Sequence, residues 1–106
     1  MSFRFMRLLL MFDLPMGTSA ELRRYRQFRK FLISEGFIME QFSVYSKLAL
    51  NQSVINANIQ KIRREIPANG KIQILTVTEK QYANMQYLAG EKSTNILDDT
   101  ERIVVL

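Results

Sequence analysis

Three observations predict an α+β fold for this 106-residue chain. Short apolar runs of strand length alternate with two longer stretches whose apolar residues recur at helical spacing. Turn and capping residues separate them, and 47% hydrophobic with 24% charged residues fits one globular domain, not two.

From about Phe5 to Phe12 the residues are almost wholly apolar and end at Asp13-Leu14-Pro15, which suits a central strand covered on both faces. Thr18-Ser19-Ala20-Glu21 has the capping-box form and starts a helix. Leu22, Tyr25, Phe28 and Leu32 follow at helical spacing as a sheet-facing stripe, and Gly36 stops the helix. Phe37-Ile38-Met39 and then Phe42 to Leu50 read as two strands joined tightly around Glu40-Gln41. Val44, Ser46 and Leu48 share one face of the second, with Ser43, Tyr45 and Lys47 on the other.

Ile55, Ile59, Ile62 and Ile66 mark a second helix, halted by Pro67 and followed by the Asn69-Gly70 turn. Ile72, Ile74, Leu75 and Val77 supply a fourth strand. The order strand, helix, strand, strand, helix, strand is the split βαβ arrangement of ferredoxin-like domains. This core is expected over residues 1–78. Residues 79–106 are expected to form an extension: a short helix over Glu79 to Leu88, a polar loop from Gly90 to Thr100, and a terminal strand at Arg102-Ile103-Val104-Val105-Leu106. A short apolar strand on a polar tether pairs with an exposed sheet edge.

The formal net charge is +5 and the calculated pI about 9.8. Residues 1–71 hold twelve Lys/Arg against five Asp/Glu, whereas residues 72–106 hold three against five. Such a basic body favours a polyanionic partner, because Lys and Arg release counterions from phosphates. The chain contains no cysteine and no histidine. Disulfides, thiolate metal sites, the usual zinc sites and histidine triads are therefore excluded, and any catalysis falls to carboxylates with a hard metal ion. No apolar run approaches the length of a membrane span.

Asp13 has two readings. It either ends the strand in an Asx-turn before Pro15 or serves as a metal ligand at the open end of a central strand. One carboxylate holds magnesium poorly, but a two-fold dimer supplies two from one position. Arg23, Arg24, Arg26, Arg29 and Lys30 form a basic ridge with no acid between Glu21 and Glu35. A soluble helix exterior intersperses acids, so phosphate contact is favoured. Tyr25, Phe37, Phe42 and Tyr45 are assigned to core packing or a dimer interface, since the aromatic-glycine signature of RNA-recognition domains is missing.

Leu10-Met11-Phe12-Asp13-Leu14-Pro15, Tyr25 through Leu32, Gly36-Phe37 and Gln41-Phe42-Ser43-Val44-Tyr45 together resemble the family of CRISPR-associated protein two, the small dimeric subunit of the CRISPR spacer-acquisition complex. Leu75 through Tyr82 looks like the version found in type II systems. The resemblance runs over nearly the whole chain. It implies a ferredoxin-like homodimer that binds duplex DNA and bridges integrase dimers in a heterohexamer, with a magnesium-dependent endonuclease activity on single-stranded RNA or double-stranded DNA. A cytoplasmic location is expected with it.

By position, Asp13 matches the family's metal-binding and catalytic aspartate. Arg23, Arg26, Arg29 and Lys30 fall on its basic helix, and Ile103, Val104, Val105 and Leu106 match the terminal strand that docks on a neighbouring subunit and helps seat the integrase. Many members carry a tyrosine where this chain has Phe12, so no hydroxyl role passes to that position. The leading expectation is a homodimeric scaffold of CRISPR adaptation in which cleavage is secondary. The rivals are a stand-alone ribonuclease toxin of the same fold and a ferredoxin-like regulatory domain for a small ligand.

Overall fold

A computed structural model describes residues 5–91. The elements run β1 (Met6–Asp13), α1 (Ser19–Ser34), β2 (Ile38–Gln41), β3 (Val44–Ala49), α2 (Gln52–Arg64), β4 (Lys71–Thr78) and α3 (Glu79–Ala83). The four strands form one sheet in the order β2-β3-β1-β4, with every neighbouring pair antiparallel. This is the ferredoxin-like βαββαβ topology read from the sequence. The terminal strand expected at Ile103–Leu106 lies outside the described residues, as does the loop beyond Glu91.

Alternation along β1 turns Leu8, Leu10 and Phe12 to one face, where they join Tyr25, Phe28 and Leu32 of α1 and Ile55 and Ile62 of α2 in a single core. Phe12 is its hub. Its ring meets Phe28 edge-on at 5.4 Å and lies 5.7 Å from both Tyr25 and Tyr45, the offset and T-shaped arrangements that ring quadrupoles prefer. The Thr18 hydroxyl accepts from the Glu21 amide while the Glu21 carboxylate takes the Thr18 amide, so the capping box forms as expected. At the other end the Gly36 amide donates to Ile33 and the Phe37 amide to Leu32, with Gly36 at φ +94°. These paired bonds make a Schellman stop, which needs a left-handed residue after the cap.

Four expectations are corrected. Among the described residues, the second face of β1 is left open by α1 and α2 and is covered only at its Arg7 end, by α3. Arg7, Leu9 and Met11 there are half-buried, and on the flanking strands Leu48 is 40% and Leu75 55% exposed. The β2–β3 turn is Phe42-Ser43, not Glu40-Gln41, because the register shifts between Met39 and Gln41. That bulge takes Glu40 out of the ladder and lets the strand continue to Gln41. Helix α2 ends at Arg64, which leaves Ile66 exposed, and the buried polar residue of its stripe is Asn58. Asn58 is satisfied there, donating to the Val54 carbonyl and accepting from Lys47 Nζ at 2.8 Å. Lastly, α3 stops at Ala83, capped by Asn84, well short of Leu88.

Candidate nucleic-acid interface

Asp13 is the last residue of β1 and is exposed. Strand alternation sets it on the side of Leu9 and Met11, the face that α1 and α2 leave open. Neither a hydrogen bond nor an ion pair to another described residue engages its carboxylate, so no Asx-turn holds the loop. The loop is fixed from outside instead. Gly70 approaches so closely that a Cβ there would stand 2.8 Å from the Asp13 carbonyl oxygen and 2.5 Å from Leu14 Cδ2. Lys71, the next residue, pairs directly across the ladder from Asp13 and gives that end of the sheet a cation close to the carboxylate.

The basic ridge of α1 divides. Arg23, Arg24, Arg26 and Lys30 are exposed, and none takes part in an ion pair among the described residues. Arg29 is half-buried, and its Nε donates to the Tyr45 hydroxyl at 2.9 Å. Burial pushes the Tyr45 hydroxyl up from its ordinary pKa, while Arg29 pulls the other way. Arg24 overlooks a shallow cleft between the β1–α1 and α2–β4 loops, lined also by Leu14, Tyr25, Pro67 and Asn69. Lys61, Arg63 and Arg64 close the last turn of α2, where cations complement the helix dipole. Lys61 is paired with Glu35 at 3.2 Å.

A second polar group, invisible in the sequence, lies on the open sheet face. Arg7 clasps Glu79 through two bonds, of 3.0 and 2.6 Å, and its guanidinium sits 4.2 Å from the Tyr82 ring centroid. The hydroxyls of Tyr82 and Ser46 both donate to Glu40. The hydrogen bond to Glu79 raises the Arg7 pKa, and burial together with Glu40 pushes the Tyr82 phenol up to about 12. These bonds pin α3 to the sheet and bury Ser46. Partners up to 72 positions apart left no local signal, whereas Lys71 was recoverable once the strand register was known.

Among the described residues no group of three or more His, Cys, Asp or Glu comes together. The described residues of one chain therefore do not by themselves complete a magnesium site around Asp13. No described helix is long and apolar enough to cross a membrane.

The sequence model of the family described as CRISPR associated protein Cas2 matches residues 6–85, which take in every strand and helix above. The chain belongs to the Cas2 family. A protein of Streptococcus mutans serotype c named "CRISPR-associated endoribonuclease Cas2" is 55% identical over 101 residues, covering 95% of this chain and 93% of the relative. One of the same name from Treponema denticola is 48% identical, covering 95% of this chain and all of its own length. A solved structure titled "Crystal structure of cas2" superposes with a TM-score of 0.60 over 87% of this chain and 94% of its own, at 14% identity. At that identity the likeness supports the fold alone.

Proposed function

We propose that this chain is a homodimeric nucleic-acid-binding protein of CRISPR spacer acquisition that grips duplex phosphates and bridges integrase dimers. A magnesium-dependent cut of phosphodiesters is its secondary activity. One observation carries the reading: Arg23, Arg24, Arg26 and Lys30 stand exposed on one helix with no acidic partner among the described residues. Cations left uncompensated in this way release counterions from a phosphate rail without reading sequence. Arg29 contributes less, because the Tyr45 hydroxyl already holds it.

Dimerisation draws support from the open sheet face, where Leu9, Met11, Val44 and Leu75 make an apolar surface that wants a cover. Asp13 shares that face, so packing two copies across it brings two carboxylates toward one axis. Two Asp13 side chains fit a magnesium ion that one does not. When bound, the ion supplies charge neutralisation at a phosphate and a lowered pKa for its water. The chain's own part is positional: Gly70 fixes the Asp13 backbone, and Lys71 sets a positive charge beside it. The endoribonuclease name of the relatives supports phosphodiester hydrolysis as the chemistry.

The test combines two variants. Reversing charge at Arg23, Arg26 and Lys30 is expected to weaken duplex binding and flatten its salt slope by about 3 in d log K/d log [salt]. Asp13→Asn is expected to abolish magnesium-dependent RNA cleavage while sparing spacer acquisition and complex assembly. Acquisition that stops in Asp13→Asn although the complex still assembles overturns the scaffold reading. Cleavage lost together with growth inhibition favours the stand-alone toxin.

A further inference from the structure

Phe42, assigned from the sequence to core packing or a dimer interface, is 66% exposed. It occupies the first position of the two-residue β2–β3 turn, and Ser43 behind it sits at φ +66°. A non-glycine residue in that left-handed region is uncommon, and such residues gather at sites where the backbone is held for a purpose. The ring is held as well. It stacks on Tyr25 at 5.9 Å between centroids and 25° between planes. Tyr25 in turn is buried and packs against Phe12. One face of Phe42 is thus anchored to the core through a ladder of rings, and the rest of the side chain faces solvent.

The β1–β3 register pairs Met11 with Val44, and the Phe12 amide donates to the Ser43 carbonyl at 3.1 Å. These bonds set the Phe42-Ser43 turn beside the end of β1, with the ring on the α1 side of the sheet, where it meets Tyr25. Beneath the ring, Tyr25 belongs to α1, the helix whose Arg23, Arg24, Arg26 and Lys30 are exposed.

We propose that Phe42 is a stacking platform for one unpaired nucleobase of a strand whose phosphates lie along the exposed cations of α1. This deepens the function proposed above and rests on it. An aromatic face held rigid against a helix that carries exposed cations matches how single strands are bound, with bases on rings and phosphates on guanidinium groups. A protein partner fits less well, since interface cores are depleted of charged residues. A fully paired duplex offers no free base face to the ring. The platform therefore distinguishes strands with an unpaired nucleotide from intact duplex, the property that an endonuclease acting on single strands requires.

The experiment uses the full chain with a fluorescent single-stranded oligonucleotide carrying one 2-aminopurine and a blunt duplex of the same length. Phe42→Leu is expected to weaken single-strand binding about 5- to 150-fold, the range for one lost base stack, and to abolish 2-aminopurine quenching. Duplex binding should stay within about twofold. Phe42→Trp should retain both single-strand signals, and circular dichroism melts check that both variants fold. Equal loss on both ligands, or no loss on either, overturns the platform while leaving the nucleic-acid reading standing. A change in self-association with unchanged oligonucleotide binding also overturns it and assigns the ring to a protein interface. Wild-type protein that binds neither ligand at low salt overturns the function on which the platform rests.

Discussion

Replacing Gly70 by alanine tests whether the Asp13 loop is held by close packing. Two separate costs meet at this position. The backbone sits at φ +113°, outside the region that side chains tolerate, and holding a non-glycine residue there costs about 1–3 kcal/mol. The added Cβ would also stand 2.5 Å from Leu14 Cδ2 and 2.8 Å from the Asp13 carbonyl oxygen, against about 3.5–4.0 Å for an unstrained carbon contact. Leu14 is itself buried in the core and the carbonyl belongs to the backbone, so neither can simply swing aside. Overpacking of this kind costs about 1–3 kcal/mol more. A less flexible unfolded chain returns about 0.4–1 kcal/mol. The net expectation is a loss of about 3 kcal/mol. Gly36 separates the two contributions, because its φ is +94° but its nearest neighbour is the flexible Lys47 Cε at 3.5 Å. Gly36→Ala should therefore cost only the conformational part, about 1–2 kcal/mol. Urea denaturation of both variants at one protomer concentration, with m unchanged, measures the difference. Equal midpoints would refute the claim that the Asn69-Gly70 turn braces the Asp13 loop by contact.

Two further outcomes follow from the open sheet face. Leu75→Asp puts a charge where the side chain is 55% exposed, so the fold should survive while sedimentation shows a loss of self-association; a variant that still dimerises would point to another surface. The Tyr82 phenol is pushed up to about 12 chiefly by burial and then by Glu40. A raised folded pKa means that its contribution to stability is complete below pH 10, its ordinary value, and is lost as pH rises toward 12. Tyr82→Phe should diminish the late rise in tyrosinate absorbance, to which Tyr45 also contributes, and flatten the pH dependence of α3 docking over that window. If wild type and variant titrate alike, Tyr82 does not sit against Glu40 in solution.

Legibility in the sequence followed the range of the forces involved. The capping box at Thr18, the Schellman stop at Gly36, the apolar period of α1 and the run of β1 are all local, so the order of residues alone discloses a ferredoxin-like succession of elements over positions 5–78. The basic ridge is equally legible, since charge spacing on a helix is a matter of residue count. Tertiary structure decided what depends on partners far apart in the chain. The bulge at Glu40 moved the β2–β3 turn to Phe42-Ser43 and left Phe42, assigned to the core or a dimer interface, exposed on the single chain. Pairing between β1 and β4 brought Lys71 to Asp13, and Glu79 and Tyr82 found Arg7 only once α3 folded back over the sheet. Local propensity selects elements, but strand register and the packing of one layer on another select which side chains meet, and those contacts carry no signature in neighbouring residues.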